Sequence, residues 1–156
     1  MSSQLPASLN VQEEALRLGL KELRERAHFL GRWQILGQNP TILCDSAHNE
    51  AGLKITLEGI SKRAFHHLHV VLGMVSDKDA GKVLRYFPKE ATYYFAKPDV
   101  PRGLDARELQ SKATSLGLKG NVYHSVKAAL QAAMEGASQN DLIYVGGSIF
   151  VVAEVV

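Results

Sequence analysis

The stretch Thr41-Ile42-Leu43-Cys44-Asp45-Ser46-Ala47-His48-Asn49 changes character at its middle. Thr41 to Cys44 is a short β-rich run and Asp45 to Asn49 is mostly polar. From Asn49 to about Lys62 the apolar residues Leu53, Leu57 and Ile60 then recur at helical spacing. A strand that empties through a polar loop into a helix is the repeating unit of open parallel sheets. Just upstream, Trp33 to Leu36 is another β-rich run, and Gly37-Gln38-Asn39-Pro40 between the two is a strong turn signal. The pair reads as a hairpin, so one edge strand of the sheet is expected to be antiparallel.

Downstream the alternation continues. Leu68 to Leu72 is an almost wholly apolar strand, and a helix is expected from about Asp77 to Phe87, carrying Val83, Leu84 and Phe87. The strand Ala91 to Phe95 leads through Lys97-Pro98-Asp99-Val100-Pro101-Arg102-Gly103 to a helix opening at Asp105, with Glu108 in capping-box position. That helix buries Leu109, Ala113 and Leu116 and stops at Gly117. A strand Asn121 to Tyr123, a helix capped by Ser125 and a strand Asp141 to Val145 follow, then Gly146-Gly147-Ser148 and a last apolar segment. Strands buried on both faces and separated by amphipathic helices call for an α/β fold, a mainly parallel sheet with helices on either side. Residues 11–156 are expected to form this domain and the polar residues 1–10 a flexible lead-in. Between Val11 and Phe29, apolar residues at helical spacing broken by Gly19 read as two short helices.

The 156 residues suffice for one well-packed core, since a chain of this length buries roughly 68–70% of its unfolded surface. The net charge of +2 comes from scattered, interspersed acids and bases, which argues against a nucleic-acid or membrane-surface partner. The longest apolar run, Ile149 to Ala153, falls far short of the ~20 residues of a membrane span, and the N-terminus lacks the pattern of a signal peptide. A single cysteine, Cys44, permits no internal disulfide and fits a reducing compartment, so a cytoplasmic protein is expected.

Ligands of open α/β sheets collect at the carboxyl ends of the strands. That edge holds Asp45 to Asn49, Gly73 to Asp79 and Gly146 to Ser148. Asp45 and His48 could aim a carboxylate and an imidazole at a ligand beside free helix N–H groups. The same spacing also fits Asn49 as a plain helix cap with Asp45 and His48 solvated. Gly146-Gly147-Ser148 could let backbone approach a ligand closely or be only a turn. Asp77-Lys78-Asp79 is either a phosphate-orienting cluster or a helix cap. His66, His67 and His69 raise the question of a metal, but no acid or thiol accompanies them in sequence; solvated residues at a strand start are the expected reading, and no metal site is assigned. A G-x-S-x-G elbow, a G-x-x-x-x-G-K-[ST] loop and a G-x-G-x-x-G fingerprint are all missing, so the chain alone should not grip a triphosphate tightly.

Gly31-Arg32-Trp33-Gln34, Asp45-Ser46-Ala47-His48-Asn49, Gly73-Met74-Val75-Ser76-Asp77-Lys78-Asp79 and Gly147-Ser148-Ile149-Phe150-Val151-Val152-Ala153-Glu154, in this order, resemble the C-terminal domain of the folylpolyglutamate synthase and dihydrofolate synthase family, within the Mur ligase superfamily. The resemblance runs from about Val11 to the last residue. It implies a Rossmann-like three-layer sandwich with a six-stranded sheet, five strands parallel and one antiparallel. It also implies part of an enzyme, whose N-terminal ATPase domain in the same polypeptide holds the phosphate loop and the Mg2+ ligands. The implied reaction phosphorylates a carboxylate of dihydropteroate or a folate with ATP and couples glutamate to the acyl phosphate; this domain alone would be inactive. In the family the arginine and aspartate of these motifs contact ATP, which implies Arg32 and Asp45 as nucleotide ligands. His48, Asn49 and Ser148 would face glutamate or the reacting centre, with His48 the catalytic candidate.

Three positions depart from the family pattern. Ser46 and Glu50 stand where glycine and proline are usual in Asp-Gly-Ala-His-Asn-Pro, and Leu30 where proline commonly precedes Gly-Arg. A free-standing Rossmann-like binding module is the alternative from another class. A Mur-type ligase acting on peptidoglycan precursors is disfavoured by Asp-x-Ala-His-Asn, where those enzymes usually carry a variant.

Overall fold

Strand Leu68–Leu72 shows why the sheet lies in the middle of the molecule. Leu68, Val70 and Leu72 enter one apolar cluster and Val71 the other, so both faces of the strand are covered. The computed structural model describes residues 31–76 and 80–156, together with Glu14 and Ala15. Residues 1–30 and 31–156 are separate units, and the fold below is that of the second. In the first, Glu14 and Ala15 are helical and exposed. The expected lead-in, the rest of the two expected N-terminal helices, and Asp77-Lys78-Asp79 lie outside the described residues.

The chain order is β1 (Gln34–Gly37), β2 (Thr41–Asp45), α1 (Glu50–Ser61), β3 (Leu68–Leu72), α2 (Ala80–Leu84), β4 (Thr92–Ala96), α3 (Ala106–Ser115), β5 (Gly120–Tyr123), α4 (Val126–Gly136), β6 (Leu142–Gly146) and α5 (Ile149–Ala153). The six strands form one sheet in the order β1-β2-β6-β3-β4-β5. Only β1 and β2 pair antiparallel; the other neighbours are parallel. Helices α1, α2 and α3 cover one face through Leu53, Ile60, Val83, Leu84, Leu109 and Ala113. On the other face, α4 and α5 bring Ala129, Ala133, Val151 and Val152 against Ile42, Cys44, Val71, Ile143 and Val145. Each Leu or Ile so buried contributes about 1.5–3 kcal/mol relative to exposure. The three-layer α/β fold with an antiparallel edge is the one expected.

Helix starts fall where the caps are. Asn49 Oδ1 accepts from Gly52 N, Asp105 Oδ1 from Arg107 N and Glu108 N, and Ser125 Oγ from Ala128 N. The helix expected to run to Phe87 ends at Leu84. Strand Leu68–Leu72 has its expected bounds, and the other strands shift by one residue at one or both ends. The clearest case is Trp33, which is not in β1: its φ of 44° bends the backbone into the left-handed region.

The histidines require a correction. His66 is exposed, but His69 is 4% exposed and fully engaged rather than solvated. Its Nε2 lies 3.0 Å from Asp141 Oδ2, and its Nδ1 lies 2.9 Å from the Tyr94 hydroxyl. A carboxylate only accepts, so Nε2 donates to Asp141, and in the neutral form of the ring Nδ1 accepts the Tyr94 proton. The Asp141 oxygens also accept from Ser138 N and His67 N, tying the amino ends of β3 and β6 together. The Ser138 N–H first, and His69 after it, hold the Asp141 carboxyl below the usual aspartate range. No group of three His, Cys, Asp or Glu able to hold a metal exists among the described residues.

A carboxyl with a depressed native pKa stabilises the fold above its unfolded value, near 4, and loses that contribution as pH falls through the native value. Asp141→Asn is therefore expected to cost about 1.5–3 kcal/mol at neutral pH. The difference from the parent should shrink in acid. Urea denaturation that finds the same difference at pH 7 and pH 3 would refute this account.

Candidate functional site

At the carboxyl end of β2 the Asp45 side chain, 9% exposed, is enclosed by donors. Oδ1 accepts from Ala47 N at 2.8 Å and from the Thr56 hydroxyl of α1 at 3.1 Å; Oδ2 accepts from Trp33 N at 2.8 Å. A carboxylate has about four acceptor positions, so one remains, on Oδ2. A second stitch runs beside the first, from Ser46 N to the Gly31 carbonyl at 2.7 Å. Arg32 lies between these two attachments. Its backbone is fixed while its side chain is exposed, and it makes no hydrogen bond or ion pair with a described residue.

The sequence is built for this bend. Gly31 has φ +80°, and a Cβ there would come 2.6 Å from Val152 Cγ1, so only glycine fits. The Trp33 ring lies over Gly59 of α1, where a Cβ would stand 2.7 Å from Cη2. The carboxylate at its N–H and the helix under its ring together hold Trp33 in a conformation that costs on the order of 1–3 kcal/mol.

Arg32, Asp45, Ser46, Ala47, His48, Asn49, Gly52, Ile55 and Thr56 line one cleft of about 250 Å³. Arg32, Asp45, His48 and Asn49 are therefore brought together. Ser148 is not among these lining residues: it is 2% exposed and its hydroxyl caps α5 by accepting from Phe150 N. His48 is exposed, with Nδ1 3.1 Å from the Ser46 carbonyl. The carbonyl can only accept, so Nδ1 carries a proton, and in the neutral form of the ring the lone pair lies on Nε2. The twelve-residue helix α1 directs its N-terminal N–H groups and positive dipole end at the cleft, and Arg32 adds a permanent cation. Anions are the ligands this arrangement attracts.

The departures at 46 and 50 have local explanations. Ser46 is not in the left-handed region, so its backbone does not need glycine. Glu50, at the first position of α1, accepts from the Tyr86 hydroxyl of the α2–β4 segment and pairs with Lys54 and Arg85. The Tyr86 hydrogen bond foremost holds the Glu50 carboxyl below its ordinary range, and an acid at a helix start suits the dipole. Thr56 went unnoticed in the sequence, although a threonine beside Leu53 and Ile60 on the buried stripe of α1 was a visible signal. Ile55, 73% exposed and lining the cleft, was also missed.

With that geometry in view, comparison with known proteins is informative. The family model described as "Mur ligase, glutamate ligase domain" matches residues 31–149. The chain belongs to this family. This glutamate ligase domain is 33% identical over 146 residues to a probable bifunctional folylpolyglutamate synthase/dihydropteroate synthase of Haloferax volcanii, which matches 93% of the chain and 17% of that protein. It is 33% identical over 152 residues to the dihydrofolate synthase/folylpolyglutamate synthase of Escherichia coli, across 96% of the chain and 34% of that protein. The structure of E. coli FolC in complex with DHPP and ADP superposes with a TM-score of 0.79 at 31% identity, covering 94% of the chain and 34% of that one. The glutamate ligase domain thus spans about a third or less of the length of the relatives it matches.

If the Asp45 carboxylate organises the Arg32 turn, its loss should outweigh the loss of any one donor. Thr56→Val removes one donor to the carboxylate and is expected to cost about 1.5 kcal/mol, whereas Asp45→Asn weakens all three bonds and forces an NH2 against present donors, and should cost about 3 kcal/mol or more. Urea denaturation together with amide exchange at Trp33 measures both. An Asp45→Asn variant no less stable than Thr56→Val would contradict the arrangement.

Proposed function

We propose that this chain is the C-terminal domain of an ATP-dependent ligase that adds glutamate to a folate or dihydropteroate carboxylate, working with an N-terminal ATPase domain of the same polypeptide. The observation that carries the reading is the convergence of Arg32 and Asp45 on one cleft at the start of α1. The relatives add to it, since they carry folylpolyglutamate or dihydrofolate synthase names and are several times longer than this chain. A free-standing binding module is not favoured by those lengths.

In the proposed reaction a carboxylate oxygen of the acceptor attacks the γ-phosphorus of ATP, releasing ADP. The glutamate amine then attacks the acyl carbon, and phosphate leaves with the C–O bond. Arg32 offers charge to a phosphate without needing to titrate. Asp45, through its remaining Oδ2 position, accepts a hydrogen bond from a ligand hydroxyl or amine. His48, with its lone pair on Nε2, is the group suited to take the proton the amine loses; in its charged form it would hold a carboxylate instead. Asn49, its Oδ1 committed to Gly52 N, keeps its NH2 for a glutamate carboxylate. Ser148 contributes by shaping the turn after β6 unless its cap is released. By the family resemblance, the Mg2+ of the reaction is held mainly by the N-terminal domain. There it would neutralise phosphate charge. Among the described residues no helix is long and apolar enough to cross a membrane, and Cys44 is a buried thiol, both of which fit a cytoplasmic enzyme.

Charge-assisted contacts contribute about 1.5–3 kcal/mol each. One or two of them reach little beyond the ~4.1 kcal/mol of millimolar binding. The chain alone is expected to bind ATP no tighter than about millimolar and to have no ligase activity. In the full-length enzyme, Arg32→Ala should raise the KM for ATP roughly 10- to 100-fold. Micromolar ATP binding by the chain alone that survives Arg32→Ala, or amino-acid addition only to a cell-wall precursor, would overturn the proposal.

A further inference from the structure

Tyr144 stands out in a core where polar groups are otherwise paired. It is fully buried on β6, on the face covered by α1, and its hydroxyl proton has no acceptor among the described residues, the backbone group beside it being the Gly147 N–H, which can only donate. Phenylalanine would fill almost the same space without that penalty. Leaving a buried hydroxyl proton unpaired shifts an equilibrium by roughly 5- to 150-fold. Burial foremost, and the nearby Asp45 charge after it, push the phenol far above its ordinary range, so it keeps its proton and remains a donor.

The position of this donor is specific. A Cβ at Gly146 would overlap the hydroxyl oxygen and would lie 2.8 Å from the Asp45 carbonyl, so the ring tip occupies the space that Gly146 leaves open. Asp45 and Gly146 are paired across β2 and β6. The Asp45 side chain meets Thr56 on that same face, and among the described residues only the Trp33 N–H donates to its Oδ2. The Tyr144 hydroxyl and the Asp45 side chain thus lie on the same face of neighbouring strands, at the end of the sheet behind the cleft.

We propose that Tyr144 is a positioning residue for the nucleotide: binding in the cleft brings the Asp45 carboxylate within reach of the Tyr144 hydroxyl, which then holds Asp45 toward the ligand. This rests on the proposed function for the identity of the ligand. The hydroxyl proton is unpaired without ligand and paired with it, so removing the hydroxyl acts oppositely on the two states. Tyr144→Phe should stabilise the free chain and weaken nucleotide binding by a similar factor.

Two measurements test this. In the chain alone, Tyr144→Phe is expected to raise the unfolding midpoint; a lowered midpoint would show that the hydroxyl is already satisfied in the fold and overturn the proposal. In the full-length enzyme, the variant should raise the KM for ATP about tenfold, equivalent to about 1.4 kcal/mol, with kcat within about twofold. An unchanged KM beside an active parent enzyme overturns the role of Tyr144 alone. A parent enzyme that neither binds ATP nor adds glutamate overturns the proposed function, and with it the nucleotide as the ligand of this site.

Discussion

The Asp45 carboxylate is the interaction on which the carboxyl edge of this sheet depends. Its three hydrogen bonds reach the turn before β1, the loop after β2 and the middle of α1, beside the Ser46–Gly31 backbone bond and the Trp33 ring packed over Gly59. Each charge-assisted bond is worth about 1.5–3 kcal/mol, comparable to the strain of holding Trp33 at φ 44°. The strain persists because the carboxylate and the ring packing over Gly59 oppose it together. Arg32 inherits its backbone placement from its neighbours, which explains how an exposed side chain with no partner among the described residues starts from a defined position.

Much of this edge was legible beforehand because its signals are local. Asn49, Asp105 and Ser125 announce helix starts within a residue or two of themselves, and Gly37 to Pro40 announces the hairpin, since caps and turns are satisfied by near neighbours. The strand ends were less legible. Trp33 reads as β-rich, but its conformation is set by Asp45, twelve positions away. The His69 to Asp141 contact spans 72 positions and follows from the adjacency of β3 and β6, which no local pattern reveals. Thr56 and Tyr144 are polar residues on otherwise apolar faces. That anomaly is visible in sequence, but its meaning comes only with the partner, or the missing partner, across the layer.

The two ends of the sheet use buried polar groups differently. At the amino end, Tyr94, His69 and Asp141 form a closed chain in which donors and acceptors are matched, a device that fixes strand register. At the carboxyl end, acceptor capacity remains on Asp45, a donor remains on Tyr144, and a cation remains on Arg32. Matched groups make a scaffold; surplus groups make a site, because only they gain when a ligand arrives.

The same criterion decides between cavities. A larger one, about 480 Å³, lies at the far end of α1 and is lined mainly by apolar groups including Leu57, Ile60, Phe65 and Leu68. It exceeds the cleft in size and carries Lys54, Glu58, His66, His67, Tyr86 and Glu90 in its lining, yet no residue of the four family motifs reaches it. The smaller cleft has a fixed cation, a helix N-terminus, an imidazole with a free lone pair and a partly filled carboxylate. One wall is Ile55, an apolar side chain left 73% exposed. Charges in such an open cleft are weakened by water, and they become strong only when another surface excludes it. Under the proposed function, the exposed isoleucine beside these groups lies where the N-terminal domain would close over the cleft. The positions of the groups belong to this domain; their catalytic strength would come from the surface that covers them.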